Sequence, residues 1–168
     1  MEESNVIIFC GLDGSGKTTQ AKKLLSYLES KKISSEYVWL RYPNFFSLPF
    51  AAFLRLFGIS GYPIPEEKKI KGLDNLSTHK NLKKLWIWSL YNDFKFVCWK
   101  KLLRPIKNKK ILILDRFVID TVVELAINTD QEDNFDSISK KFFKFIPNNS
   151  VIFFLDIDPK ISYERNHE

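Results

Sequence analysis

The chain is short of several residue types, and each shortage narrows what it can be. Its 168 residues include only two cysteines, Cys10 and Cys98, at a spacing that suits neither a metal site nor a disulfide framework. That usage fits a reducing compartment, with cytoplasm the expected location. The two histidines, His79 and His167, are isolated and match no metal or triad spacing. No apolar run approaches the roughly 18 residues needed to span a bilayer. The opening MEESN is acidic and polar where an export signal would be basic and then apolar, so neither a membrane span nor a leader is expected. There is no repeat and no long run of one residue, which excludes collagen, coiled coil and disorder. Arginine is also scarce, with Arg41, Arg55, Arg104, Arg116 and Arg165 set against 21 lysines.

The net charge of +6 favours anionic partners, nucleic acid or nucleotide phosphate. A solvated lysine-rich surface accounts for most of that charge, and the KNKK run at Lys107 to Lys110 reads as loop decoration, so a nucleic-acid module is the weakest reading. Apolar residues make up 45% of the chain, with 15 phenylalanines and 4 tryptophans. That suffices for one globular domain over 1–168, which at this size buries about two thirds of its unfolded surface.

Four short apolar runs are rich in β-branched and aromatic residues: Val6 to Cys10, Glu36 to Leu40, Ile111 to Leu114 and Val151 to Leu155. They are continuous where a half-exposed strand would alternate, which predicts strands buried on both faces of a parallel sheet. Helical spacing fills the intervals. Thr18 to Ser30 puts Ala21, Leu24, Leu25 and Leu28 on one face; Leu48 to Phe57, Ser77 to Leu103, Thr121 to Asn128 and Ser137 to Phe145 follow. Strands alternating with helices indicate a three-layer α/β fold. The segment 58–76 gathers glycine, proline and charge and reads as a surface excursion. The helix from Ser77 is apolar nearly all round, at Leu85, Trp86, Ile87, Trp88, Leu90, Tyr91, Phe94, Phe96 and Val97, so it is expected to be buried, in the core or against a second copy of the chain.

Gly11 to Thr18 reads GLDGSGKT, a full match to the phosphate-loop pattern GxxxxGK[ST], placed between an apolar strand and an amphipathic helix. Three of the six glycines fall here, because backbone N–H groups can wrap a phosphate only where no side chain blocks the approach. Gly11, Asp13, Gly14, Ser15, Gly16, Lys17, Thr18 and Thr19 are therefore the expected ATP contacts. Lys17 would neutralise the β and γ phosphates and the Thr18 hydroxyl would ligate Mg2+. Asp115 and Arg116 directly follow the ILIL strand, at the carboxyl end where open α/β sheets place their ligands. The carboxylate can hold magnesium or its water, and the arginine can clamp a phosphate bidentately.

The loop GLDGSGKTTQ, the strand and turn YVWLRYP ending at Arg41 and Pro43, the strand followed by DRF, and FFLDIDP at Phe153 to Pro159 together resemble the thymidylate kinase family of P-loop nucleoside monophosphate kinases. The resemblance implies a P-loop NTPase fold with a parallel sheet of order 2-3-1-4, flanked by helices and with its fifth strand missing. It implies transfer of the ATP γ-phosphoryl group to a nucleoside monophosphate, most simply a dTMP-like one, and a homodimer packed through helices. By the same resemblance Asp13 would meet the sugar hydroxyl of the acceptor, Arg41 and Arg116 would hold its phosphate, Trp88 or Tyr91 would stack on its base, and Lys17, Asp115 and Arg116 would be the catalytic set. The sequence departs from the family in three places. Asn92, Asp93 and Phe94 stand where an arginine is usual, Lys160 stands for a glutamate, and Gly14 stands where one branch carries its catalytic arginine. The other branch takes that arginine from a lid, before which this sequence ends, so the chain reads as truncated before the lid, with Arg165 the one arginine near it. A deoxynucleoside kinase, or an inactive nucleotide-binding homologue, remains the alternative.

Overall fold

The computed structural model describes residues 5–41, 45, 47–56, 80–128 and 134–165, so the expected excursion at 58–76 lies outside the described residues. By their contacts the residues divide into two compact units. One holds Met1–Arg41, Cys98–Asp120 and Lys144–Glu168; the other holds Tyr42–Val97 and Thr121–Phe143.

The first unit is built on four strands: β1 (Val6–Gly11), β2 (Ser35–Trp39), β3 (Ile111–Asp115) and β4 (Ser150–Leu155). All pairings are parallel, in the order β2-β3-β1-β4. The central strands are β-branched and dry, as a parallel sheet covered on both faces requires: Ile8, Leu112, Ile113 and Leu114 are fully buried. Helix α1 (Lys17–Ser30) lays Ala21 and Leu28 on Phe9 and Ile113, with Leu24 and Leu25 at the margin of the same cluster. The face expected from the sequence is thus the face that packs. Gly11 ends β1 at φ 138°, and a Cβ there would collide with the Leu155 carbonyl, so glycine is required both by conformation and by the close approach of β4.

Two of the four strands are not buried on both faces. β4 is an edge among the described residues, with Val151, Ile152, Phe153 and Phe154 between 42% and 66% exposed. β2 is the opposite edge, and Trp39 at its end is exposed. Composition reports that a strand can be buried, whereas position in the sheet decides whether neighbours cover it.

The chain then forms α2 (Ser47–Leu56), α3 (Lys80–Val97), α4 (Leu103–Lys107), α5 (Val118–Asn128), α6 (Phe135–Phe142) and α7 (Pro159–Arg165). The single helix expected over Ser77 to Leu103 is interrupted. A π-helical turn occupies Cys98–Leu102 between α3 and α4. Pro105 explains it, since proline lacks the N–H for an i to i−4 bond and its ring crowds the carbonyl four residues back, here that of Lys101. α5 starts one turn earlier than expected, and α6 closes in a 3-10 turn through Phe145.

In the second unit α3 buries only one part of its apolar surface within the chain, so the core alone does not account for it. Leu90, Phe94 and Val97 are buried, and Phe94 meets Phe142 of α6 edge-on at 5.8 Å, but Leu85 and Trp88 are 43% and 56% exposed. Trp88 and Leu85 instead line a cavity of about 630 Å³ with Asn81, Lys84, Ile87 and Lys141. Asn92 and Asp93 have local duties. Asp93 is fully buried and accepts from the Ser47 N–H at 3.0 Å and the Ser47 hydroxyl at 2.6 Å, capping α2, while the Asn92 amide donates to the Trp88 carbonyl.

Candidate active site

The phosphate loop joins β1 to α1. Gly14 and Gly16 take φ of 75° and 91°, and nothing lies within 4 Å of the position of a Cβ on Gly16, so its glycine serves conformation and not space. The loop closes on itself through Ser15 N–H to the Leu12 carbonyl at 3.2 Å, and α1 starts with Gln20 N–H on the Gly16 carbonyl. The unsatisfied N–H groups of the first turn therefore follow directly on the loop, with the positive end of the helix dipole.

Lys17 is 4% exposed and curls back over the loop, donating to the Gly11 carbonyl at 2.7 Å and to the Leu12 carbonyl. Burial lowers its pKa first, and the positive charge of Arg116 adds to that. The carboxylates of Asp120, Asp13 and Asp115 work the other way. Thr18 donates its hydroxyl to Asp115 Oδ2 at 2.6 Å, and Tyr37 donates to the same oxygen at 2.7 Å. Asp115 is fully buried, and its second oxygen, Oδ1, has no hydrogen-bond partner among the described residues. An unsatisfied buried acceptor is costly, and beside a phosphate loop it is a place for a cation or its water. The buried Ser15 hydroxyl is likewise unsatisfied and lies within the loop itself.

Asp13 gathers the cations. It accepts a short hydrogen bond from Arg116 Nη2, lies 3.7 Å from Arg41 Nη2 and 3.7 Å from Lys17 Nζ. Burial opposes its ionisation, but the Arg116 hydrogen bond and the charges of Arg116, Arg41 and Lys17 outweigh it and hold the carboxyl below its ordinary range. Arg116 itself sits at φ 65°, a left-handed conformation rare for a residue with a side chain. Its N–H continues the ladder to the Phe9 carbonyl at 2.9 Å, so the backbone is held in place while the guanidinium turns to Asp13.

Of the residues singled out in the sequence, the structure brings Asp13, Lys17, Thr18, Arg41, Asp115 and Arg116 together in the first unit. Thr19 is exposed on the first turn of α1. Trp88 and Tyr91 belong to the second unit. There Trp88 is exposed, and Tyr91 meets Phe142 edge-on at 5.7 Å with the Lys141 ammonium 5.0 Å from its ring centroid. Arg165 reaches the loop, with Nη1 donating to the Gly14 carbonyl at 3.1 Å. Three residues were not anticipated: Tyr37, Asp120, whose Oδ1 lies 3.4 Å from the Gly11 N–H, and Ser162, which donates to the Asp13 carbonyl. Asp120 alone left a signal, a second carboxylate just past the DRF turn. No helix among the described residues is long and apolar enough to cross a membrane.

No protein-family model matches the chain, and no curated protein matches it. Among solved structures it is similar to the thymidylate kinase from Ehrlichia chaffeensis, with a TM-score of 0.55 and 23% identity over 95% of this chain and 80% of that one. At that identity the likeness speaks for the fold. The chain has the α/β fold of the P-loop kinases, with its parallel sheet in the order 2-3-1-4 between helices.

Proposed function

We propose that the chain is a nucleotide kinase that moves the γ-phosphoryl group of ATP onto a nucleoside monophosphate, with a dTMP-like acceptor as first choice. The observation that carries this reading is the convergence of three strand ends: Lys17 and Thr18 after β1, Arg41 after β2, and Asp115 with Arg116 after β3, with Asp13 tying the cations together. The loop amides and Lys17 hold the β and γ phosphates. Thr18 and Asp115 would hold Mg2+, a fit supported by the unsatisfied buried Oδ1 and by an all-oxygen donor pair. When bound, the ion supplies charge neutralisation across those phosphates.

Arg41 and Arg116 clamp the acceptor phosphate, and Asp13, relieved of them, accepts the sugar hydroxyl. An acceptor phosphate oxygen is already ionised near neutral pH, with a second pKa of about 6, so no residue has to remove a proton. That oxygen bonds to the γ phosphorus as the bridge to the β phosphate breaks, and ADP leaves with the electron pair. The work of the protein is positioning and charge stabilisation. Arg165, on the Gly14 carbonyl, stands in for the arginine that the loop lacks. Trp88 or Tyr91 would stack on the base. In this reading the protein acts in the cytoplasm, without membrane or nucleic acid, and pairs with a second copy through its helices, where the exposed Leu85 of α3 offers apolar area.

The test is ADP release from ATP with magnesium, comparing dTMP with thymidine as acceptor. Turnover with dTMP and little with thymidine is expected, and Arg165→Ala should cut kcat by about a thousandfold with the KM for ATP nearly unchanged. Faster turnover of thymidine would replace this reading with a nucleoside kinase. ATP binding with no transfer to any monophosphate would make the chain an inactive homologue.

A further inference from the structure

The sheet edge opposite β4 carries a second feature that the phosphate loop does not use. A groove of about 740 Å³ runs between β2 and the helical segment ahead of β3, lined by Glu36, Tyr37, Val38 and Trp39 on one bank and by Lys100, Lys101, Arg104, Pro105, Asn108 and Lys110 on the other. Its volume is that of a ligand site. Among the described residues its charge is one-sided, with four cations and the carboxylate of Glu36, which is itself paired with Lys110 at 3.1 Å. The cations share a bank because the π-helical turn carries Lys100 and Lys101 and Arg104 lies one turn on, a spacing that stacks side chains on one helix face.

The other bank is a strand edge. The Ile111 N–H donates to the Ser34 carbonyl at 2.9 Å and the Leu40 N–H to the Asp115 carbonyl at 3.1 Å. In a parallel ladder the bonded residues alternate, so the even-numbered residues of this segment face β3. Ser35, Tyr37 and Trp39 therefore turn their N–H and C=O groups outward, and β2 has no further strand beside it among the described residues.

We propose that this groove binds an extended acidic peptide segment, which adds as a strand beside β2 and sets alternate acidic side chains against Lys100, Lys101 and Arg104. Strand addition matches both kinds of outward group, because a peptide offers acceptors to the N–H groups and donors to the carbonyls of Tyr37 and Trp39. A phosphate or a nucleic-acid strand satisfies the cations and the N–H groups but sets its own acceptor oxygens against those carbonyls. Side chains of an added strand alternate in direction, so only every second one meets the cations. The recognised pattern is acidic residues at i, i+2 and i+4 with uncharged residues between.

The test is fluorescence anisotropy of the intact chain with a labelled peptide of alternating glutamate and valine. Saturable binding is expected that weakens with salt and falls about tenfold or more when the peptide is N-methylated on the edge that would face β2. The double variant Lys101→Glu with Arg104→Glu should lose about tenfold as well, its fold checked by circular dichroism. Equal affinity for the N-methylated peptide, or for one with its glutamates grouped in a block, would overturn the proposal by reducing the groove to a basic surface. Displacement of the peptide by inorganic triphosphate or a single-stranded oligonucleotide at equal concentration would overturn it in favour of a phosphate ligand. Neither outcome touches the kinase reading, which Lys101 and Arg104 do not enter.

Discussion

Replacing Tyr37 by phenylalanine removes one oxygen and nothing else, which makes it a clean probe of how the β3 carboxylate is held. The Tyr37 hydroxyl donates at 2.7 Å to Asp115 Oδ2, a fully buried carboxylate whose other oxygen is unsatisfied. A hydrogen bond to a charged group contributes about 1.5 to 3 kcal/mol. Thr18 still serves the same oxygen in the variant, so the lower half of that range applies, about 1.5 to 2 kcal/mol. For a chain of this size the corresponding fall in Tm is about 3 to 8 °C. Burial raises the phenol pKa above its ordinary value near 10, and the hydrogen bond to Asp115 and its charge raise it further. A raised folded-state pKa means that the stabilisation is complete below the unfolded value and is lost as pH rises toward the folded one. Urea unfolding at pH 8 and at pH 11 should therefore show a gap between the wild type and Tyr37→Phe that narrows at the higher pH. A gap below about 0.5 kcal/mol at pH 8, or one that does not change by pH 11, would refute the account of this contact.

Asp13 carries the opposite dependence. Its folded-state pKa lies below the ordinary value, so its contribution is present above about pH 4 and lost as pH falls from there, and thermal melts from pH 6 to pH 3 should be flatter for Asp13→Asn than for the wild type. Lys17→Ala should weaken ATP binding by about 1.5 to 3 kcal/mol in calorimetry, since it removes one charge-assisted contact and leaves the loop amides; unchanged affinity would exclude Lys17 from the phosphates.

What the sequence made legible was what a short stretch of chain decides by itself. The glycines at 11, 14 and 16 announced the loop because the left-handed backbone there has few other solutions. The α1 face of Ala21 and Leu28 followed from helical spacing, and each strand was found to within about a residue at either end. Exposure was less legible. VIFFL in β4 and WIW in α3 have the composition of a core, yet Phe154 and Trp88 are open to solvent, because burial depends on which elements lie alongside. The π-helical turn had a visible cause in Pro105, but proline within a helical pattern signals a break and not its form.

The site was legible as a set of strand ends and illegible as a set of bonds. A parallel sheet points all its carboxyl ends the same way, and with β1, β2 and β3 adjacent the residues just past them must meet: Asp13 after β1, Arg41 after β2, Arg116 after β3. Which carboxylate takes which cation is a different question. The sequence assigns each of these groups to a ligand and none to another, and the structure gives the arginines to Asp13 and the hydroxyls of Thr18 and Tyr37 to Asp115. The partition follows from depth. Asp115 is the last residue of a buried strand, where neutral donors on α1 and β2 can reach it, whereas Asp13 sits on a half-open loop where long guanidiniums keep part of their hydration. The separation has a chemical consequence. The arginines that would grip an acceptor phosphate are kept apart from the carboxylate that would face the metal, so loading one half of the site does not require breaking the bonds of the other.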